Sequence, residues 1–209
     1  MRPNVAALVR LMLVTDDRYI RGRDLIQLAL AAERGGITSL QVRVKERSDR
    51  EVAELVRGLV AAVKVPVLVN DRPDIALAAG AAGVHLGPDD LPVELTRRIA
   101  PPAFLIGASV GSDAEVPAAG EADYWGIGPW RVTPTKSDAG EALGAAGFSR
   151  LNRIAAGRPC IAIGGILPGD VPEVLRNGGS GVAVVSGILG ADNVEAAAAE
   201  YRTALNRKQ

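Results

Sequence analysis

The segment Thr133–Lys136 carries two hydroxyl groups, a rigid proline and an ammonium group. It closely follows an apolar segment, Ala122–Gly128, and opens a polar stretch, Ser137–Gly144, that has no apolar periodicity. Proline restricts the backbone of the loop, and each threonine offers a hydrogen-bond donor and an acceptor. A loop of this kind at the end of a strand is suited to bind an anion.

Other polar residues also fall at the ends of predicted strands. Alternation places Gln41, Arg43 and Lys45 on one face of a strand, with Val42 and Val44 on the other. Further candidate positions at strand ends are Asn70, Asp71, Asp90, Ser109, Gly164, Gly165, Val185 and Ser186. Because buried charges need partners, we expect these groups to face one another around one binding site.

Asp71 and Asp90 have two interpretations. Each comes shortly before a helix-start proline, so either could be a helix N-cap, which is a common role for aspartate. Two aspartates at adjacent strand ends, facing Arg43 and Lys45, also suit a hard metal ion with oxygen ligands.

Several other positions have a structural interpretation beside a functional one. Lys136 alone would be a solvated loop charge, but beside two threonines and opposite Arg43 it becomes an anion ligand. Gly164-Gly165 suits a tight turn or the usual phosphate site of a barrel, where backbone N–H groups bind. The single histidine, His85, is expected to be a hydrogen-bonded structural residue.

Composition limits the class of protein. The 209 residues are 48% hydrophobic but only 3% aromatic, so the core depends on aliphatic side chains. Lys plus Arg (24) equals Asp plus Glu (24), which removes the bulk electrostatic case for nucleic acid or an anionic membrane as a partner.

The single cysteine, Cys160, cannot form an internal disulfide, which indicates a reducing compartment. We expect Cys160 to be a small buried residue. We expect Trp125 and Trp130 to pack in the core, and the alternative for these two tryptophans is a place in the pocket wall. No apolar run reaches the ~18 residues of a membrane span, and Met1–Arg10 does not read as a signal peptide. These features predict a soluble, cytoplasmic protein.

A repeating unit organises the chain: a short apolar run, a polar loop, an amphipathic stretch and a glycine. The apolar runs are Leu11–Thr15, Ser39–Val44, Val67–Asn70, Gly83–Gly87, Phe104–Val110, Asp123–Gly128, Cys160–Gly164 and Gly181–Ser186. Near-continuous aliphatic strands separated by helices predict a parallel sheet covered by helices. Eight units at this length favour a single α/β domain over residues 1–209, a (β/α)8 TIM barrel. The sequence has no Gly-x-Gly-x-x-Gly after the first strand and no Walker loop, which weakens the open-sheet alternative.

Local signals mark the ends of the helices. The strongest helix prediction is Ser48–Val63, where Ser48 and Glu51 have capping-box spacing before an apolar stripe. Glycines at the helix exits, where a left-handed cap is needed, are Gly35-Gly36, Gly80, Gly120 and Gly178-Gly179.

Specific motifs run in order over almost the whole chain. They are Gln41-x-Arg43-x-Lys45, Val69-Asn70-Asp71-Arg72, Gly83-Val84-His85-Leu86-Gly87 with Asp89-Asp90-Leu91-Pro92, Gly107-x-Ser109, Gly126-x-Gly128-Pro129, Thr133-Pro134-Thr135-Lys136, Ala162-Ile163-Gly164-Gly165-Ile166 and Gly181-Val182-Ala183-Val184-Val185-Ser186. In this set and order the chain resembles the thiamine phosphate synthase family.

The resemblance implies a (β/α)8 barrel that uses Mg²⁺. Its two small-molecule substrates would be 4-amino-2-methyl-5-(diphosphooxymethyl)pyrimidine and 4-methyl-5-(2-phosphooxyethyl)thiazole, and its products thiamine phosphate and pyrophosphate. Carried over by position, the pyrimidine diphosphate would be bound by Gln41, Val42, Arg43, Val44, Lys45, Asn70, Ser109 and Lys136. The thiazole phosphate would be held by Thr133, Thr135, Gly165, Val185 and Ser186, and Pro134 also belongs to the substrate-binding set. Asp71 and Asp90 would hold the metal, and the catalytic set would be Arg43, Lys45, Ser109 and Lys136.

The chain departs from the family pattern at three places. Arg131-Val132 stand where the family usually has an aromatic or small residue followed by proline, Gly111-Ser112 replace a common His-Thr pair, and Glu141-Ala142 replace a proline-rich run.

The main alternative is an isomerase related to the thiazole tautomerases, which carry a catalytic histidine in the loop after the sixth strand. Residues 126–136 contain no histidine. A silent ligand-binding barrel is the third alternative, but it would be expected to have lost the aspartates or the lysine. The oligomeric state is left open, with a homo-oligomer as one alternative.

Overall fold

The architecture is a barrel of parallel strands whose connections return over its outside. The computed structural model describes residues 4–132 and 141–207. The strands are β1 (Leu11–Val14), β2 (Ser39–Val42), β3 (Val67–Asn70), β4 (Gly83–Leu86), β5 (Leu105–Val110), β6 (Tyr124–Ile127), β7 (Cys160–Ile163) and β8 (Gly181–Val184). Each pairs with its sequence neighbours in parallel, and β1 pairs with β8 to close the barrel. The predicted (β/α)8 fold is confirmed.

Helices of the described residues cover the barrel. They are α1 (Val5–Leu8), α2 (Asp17–Ile20), α3 (Leu25–Gly35), α4 (Asp49–Ala62), α5 (Pro73–Ala78), α6 (Val93–Ile99), α7 (Gly144–Ile154), α8 (Val171–Arg176), α9 (Ser186–Leu189) and α10 (Val194–Asn206). Within this described part of the chain, no helix is long and apolar enough to cross a membrane.

The apolar core has two layers because strands of a barrel are buried on both faces. The outer layer lies between strands and helices and includes Val42, Val69 and Leu86. The inner layer lies inside the barrel and includes Met12, Leu68, Leu105, Tyr124 and Ile161, with Val5 and Leu8 of the first helix packed against it. The short helix α1 therefore contributes to the inner core, which leaves the opposite end, where the strands finish, to hold the site.

Local signals predicted the start of α4 and the end of α3 correctly. Helix α4 begins after Ser48, whose Oγ accepts a hydrogen bond from the Glu51 N–H, while the Glu51 carboxylate accepts one from the Ser48 N–H at 2.9 Å. Helix α3 is capped after Gly35 by Gly36, whose φ of 100° is a left-handed conformation that glycine adopts without steric penalty.

The connection between β5 and β6 differs from the prediction. Residues 111–123 are all described, and they form a 3₁₀ helix at Asp113–Glu115 but no α-helix. A helix continuing from Asp113 would need the N–H of residue 117, which is a proline and has none. Gly120 therefore follows no α-helix, and its φ is not positive, so its predicted role as a left-handed cap is wrong.

Candidate active site

A cavity of about 640 Å³ opens at the carboxyl ends of the strands. The predicted site residues that line it are Gln41, Arg43, Lys45, Asn70, Asp71, Asp90, Ser109, Gly165, Val185 and Ser186. Val42 and Val44 lie on the other face of the chain, against the helix-facing core. Thr133, Pro134, Thr135 and Lys136 lie outside the described residues.

Strand β2 ends at Val42, earlier than predicted. The backbone after Val42 is hydrogen-bonded instead to side chains that follow β1. The Arg43 N–H donates to Thr15 Oγ1 at 2.8 Å, and the Lys45 N–H donates to Asp17 Oδ2 at 2.6 Å. Arg43 and Lys45 are therefore held in a loop, yet both still reach the cavity.

The Arg43 guanidinium is paired with a buried carboxylate that sequence analysis missed. Arg43 Nη1 lies 2.7 Å from Asp16 Oδ2, and the Asp16 side chain is only 7% exposed. Asp16 also accepts a hydrogen bond from the Arg18 N–H, so its position is fixed at two atoms. The sequence feature that indicates Asp16 is its position, as a polar residue just after the end of β1.

Lys45, Asp71 and Asp90 form a charged group beside Arg43. Lys45 Nζ donates to Asp71 Oδ2, and the carboxyl groups of Asp71 and Asp90 are hydrogen-bonded to each other. Burial would raise the pKa of Asp71, but its hydrogen bonds with Asp90 and Lys45 bring that pKa below its ordinary value. Burial and the hydrogen bond with Asp71 raise the pKa of Asp90 to about 6. Below about pH 6 the two carboxyl groups therefore share a proton, which lies on Asp90.

Neither aspartate caps a helix, so the capping interpretation is wrong. The N-cap of α5 is Arg72 and that of α6 is Pro92, and neither helix has a side-chain cap. Asp71 instead adopts φ of 65°, which is uncommon for a residue other than glycine, and its N–H donates to the His85 carbonyl at 2.8 Å. Asp90 accepts a hydrogen bond from the Gly87 N–H at 2.6 Å. Both carboxyl groups are thereby aimed at each other.

This pair fits a hard divalent cation. Two carboxylates in contact need either a proton or a cation between them, and Mg²⁺ is often held by one or two carboxylates together with water and substrate phosphates. Among residues 4–132 and 141–207, no group of three or more His, Cys, Asp or Glu side chains could hold a metal. Any further ligands would therefore have to come from other groups, such as a phosphorylated substrate and water.

A buried hydrogen-bond chain supports Ser109 from inside the barrel. His85 Nε2 lies 3.0 Å from Ser109 Oγ, and His85 Nδ1 lies 3.0 Å from Tyr124 Oη. Complete burial raises the pKa of Tyr124 well above its ordinary value, so its hydroxyl stays neutral. His85 is hydrogen-bonded as predicted. The part played by Tyr124 was missed, because an aromatic residue in a buried strand gives no signal of its own.

The opposite wall of the cavity offers backbone N–H groups. Gly164 and Gly165 have φ of 94° and 68°, and a Cβ on Gly164 would lie 2.8 Å from Pro129 Cα. Only glycine fits such a turn. Within the described residues, the N–H groups of Gly165, Ile166, Ser186 and Gly187 have no hydrogen-bond acceptor. Strand β8 ends before Ser186, which begins α9 rather than continuing the strand as predicted.

Three remaining predictions concern packing. Trp125 is buried with its Nε1–H donating to the Ala119 carbonyl at 2.9 Å, and Trp130 packs on Phe148 with ring centroids 5.9 Å apart. Neither belongs to the cavity wall described above, so core packing is confirmed for both. Cys160 is fully buried, as predicted.

A closed parallel barrel with a polar cavity at its strand ends is the architecture of a (β/α)8-barrel enzyme. The family model described as "Thiamine monophosphate synthase" matches residues 11–188. The chain belongs to this family, and it is a transferase of thiamine biosynthesis.

Individual proteins agree with this assignment. The thiamine-phosphate synthase of Methanoculleus marisnigri is 45% identical over 197 residues, which cover 92% of this chain and 93% of that protein. The thiamine-phosphate synthase of Azorhizobium caulinodans is 42% identical over 198 residues, with coverage of 92% and 93%. The solved structure of thiamine phosphate pyrophosphorylase from Pyrococcus furiosus superposes with a TM-score of 0.86 at 34% identity, covering 97% of this chain and 98% of that one.

Proposed function

We propose that the protein condenses the pyrimidine diphosphate with the thiazole phosphate to give thiamine phosphate and pyrophosphate. The observation that carries the proposal is the division of one cavity into two anion-binding walls. One wall has the paired cations Arg43 and Lys45 next to two carboxyl groups, and the other has the backbone N–H groups after β7 and β8. A reaction that joins two phosphorylated rings needs both.

The diphosphate would bind at the wall formed by Arg43, Lys45 and the aspartates. Arg43 is held by Asp16, so its guanidinium is already positioned and needs little ordering when an anion arrives. Mg²⁺ held by Asp71 and Asp90 would neutralise negative charge on the departing pyrophosphate. Lys136, which lies outside the described residues, is assigned to the same anion.

The thiazole phosphate would bind at the glycine turn and the start of α9. The N–H groups of Gly165 and Ser186 are unpartnered in the described structure and border the same cavity, so they can donate to phosphate oxygens. Thr133 and Thr135 would add hydroxyl donors from the loop after β6. This placement would leave the thiazole ring between the two walls, and the reaction requires its nitrogen to face the methylene carbon of the pyrimidine.

In the reaction, the bond between the pyrimidine methylene carbon and the pyrophosphate oxygen breaks. A bond from the thiazole nitrogen to that carbon then forms. The aminopyrimidine stabilises positive charge on the methylene carbon, which favours early departure of pyrophosphate. The thiazole nitrogen already has a lone pair, so no general base is needed. The side chains would supply charge neutralisation and alignment of the rings, and keeping water away from the methylene carbon would protect the cation.

The test is a reconstituted reaction with the protein, both substrates and Mg²⁺. We expect equal amounts of pyrophosphate and thiamine phosphate, and no product when either substrate is left out or when a chelator removes the metal. Failure to form thiamine phosphate with correctly folded protein would refute the proposal. The isomerase alternative predicts instead that a thiazole precursor alone is converted without the pyrimidine.

Three further assignments accompany this function. We propose that residues 1–209 act as one domain, that the protein works in the cytoplasm, and that its partners are the two small-molecule substrates rather than nucleic acid or membrane. Cell fractionation, with a known cytoplasmic enzyme as marker, tests the location.

A further inference from the structure

Arg131 joins two of the loops at the mouth of the barrel. Its guanidinium forms a two-point ion pair with the carboxylate of Asp170, and its Nη1 also donates to the Gly165 carbonyl at 3.0 Å. Its backbone N–H donates to the Gly164 carbonyl at 2.9 Å. Arg131 follows β6, whereas the glycines follow β7 and Asp170 immediately precedes α8. One side chain therefore connects the loop after β6 to the glycine turn and to the helix beyond it.

Asp170 gives this connection a rigid base. Its side chain is 10% exposed, and its Oδ2 also accepts a hydrogen bond from the Leu167 N–H at 2.7 Å. Burial would raise the pKa of Asp170, but the hydrogen bonds from Arg131 and Leu167 bring it below its ordinary value, so the group is a carboxylate at neutral pH. A buried carboxylate with several donors leaves its cation little freedom.

The hydrogen bond to the Gly165 carbonyl decides which way the following peptide faces. The peptide between Gly165 and Ile166 is trans, so its C=O and N–H point in opposite directions. With the carbonyl bound to Arg131, the N–H of Ile166 points away from Arg131. The described cavity wall includes Gly165 and Ile166 but not Arg131. Since glycine passes easily between conformations, a released turn could rotate and present a carbonyl oxygen to the cavity.

We propose that Arg131 is a positioning residue for the thiazole phosphate. Its ion pair with Asp170 and its bond to the Gly165 carbonyl hold the turn with N–H groups, rather than carbonyl oxygens, toward the phosphate. The inference rests on the proposed function, because it takes the glycine turn as the site of the second substrate.

The test compares Arg131→Met and Asp170→Asn with the wild type. Each should weaken binding of the thiazole phosphate by about tenfold, the size expected when one hydrogen bond to a charged group is lost. Binding of the same thiazole without its phosphate should not change. In the full reaction, KM for the thiazole phosphate should rise, and KM for the pyrimidine diphosphate should stay at the wild-type value. Arg131→Lys should recover part of the affinity.

Asp170→Asn separates positioning from direct contact. If the Arg131 guanidinium bound the phosphate itself, removing the neighbouring negative charge would leave phosphate binding unchanged or strengthen it, and that result would overturn the inference. The positioning role predicts weaker binding, and it predicts that the double variant is no worse than Arg131→Met, because both changes break one connection.

Arg150→Met is the matched control. Arg150 pairs with Asp113 and its side chain is 45% exposed, against 46% for Arg131. Its removal should change neither KM, and melting curves on all variants identify any loss of folding. If the wild type makes thiamine phosphate and the variants bind thiazole phosphate normally, this inference is overturned and the proposed function is not. A wild type that makes no product refutes the proposed function, and the phosphate binding of the variants still decides the role of Arg131.

Discussion

Replacing Lys45 with methionine should separate the contribution of this residue to folding from its contribution to catalysis. The Lys45 side chain is 56% exposed and that of its partner Asp71 is 21% exposed, so the ion pair is largely solvated. Exposed pairs stabilise proteins by ~0–1 kcal/mol. For a chain of this length, ~1 kcal/mol corresponds to a change in Tm of ~2–4 °C. Methionine keeps most of the aliphatic stem, so we expect a loss of Tm no larger than this.

The effect on rate should be far larger. Removing one electrostatic contact to a transition state lowers kcat by ~10²–10³. Because more than half of the Lys45 side chain is exposed, solvent screens its charge, and we expect the lower limit, ~10² in kcat/KM, equivalent to ~2.7 kcal/mol. The loss should persist at saturating Mg²⁺, since the missing charge acts on pyrophosphate as it departs.

The assay is the initial rate of pyrophosphate release, measured with melting curves on the same preparations. Arg21→Met is the control, because Arg21 pairs with Glu46 at 2.6 Å in an exposed contact and is not assigned to the site. It should leave both rate and Tm near the wild type. A Lys45→Met protein that melts normally and turns over at the wild-type rate would refute the assignment of Lys45 to the leaving group.

The remaining predictions concern the metal, the loop after β6 and the buried thiol. Asp71→Asn and Asp90→Asn should each raise the Mg²⁺ concentration that gives half-maximal rate, and a Mg²⁺ titration in which neither variant shifts contradicts the metal role. Lys136→Ala should lower kcat/KM by ~10² in steady-state kinetics without lowering Tm, and wild-type kinetics would make it an ordinary loop lysine. Burial raises the pKa of Cys160 to about 12, so its thiol is protonated at neutral pH. The thiol should therefore react with iodoacetamide only after urea unfolds the protein. Labelling of the native protein, measured by mass spectrometry, would contradict this prediction.

The strands could be predicted because each has a continuous aliphatic run, and a strand buried on both faces requires one. Helix α4 could be predicted because Ser48 and Glu51 lie three residues apart in the chain and act locally. Gln41, Arg43 and Lys45 were placed together correctly from alternation alone, although the strand itself ends at Val42.

What could not be predicted depends on contacts between distant segments. Asp16 meets Arg43 only because two adjacent loops approach each other, and nothing local in either loop specifies the pair. Tyr124 and His85 are 39 residues apart in sequence and meet inside the barrel. The left-handed backbone of Asp71 likewise depends on the carbonyl of His85 that its N–H reaches.

At the mouth of the barrel, the cationic side chains proposed to bind the diphosphate already form ion pairs within the protein. Binding of the diphosphate would therefore replace one ion pair with another. Arg43 rests on Asp16 and Lys45 rests on Asp71, so two of the proposed diphosphate ligands are already neutralised within the protein. If Mg²⁺ and the diphosphate bind as proposed, Asp71 would hold the metal and the Lys45 ammonium would pair with the diphosphate instead of with Asp71. Each charged group would then exchange one partner of opposite charge for another. A protein with no net charge can in this way bind a highly charged substrate without keeping a repulsive cluster of cations when the site is empty.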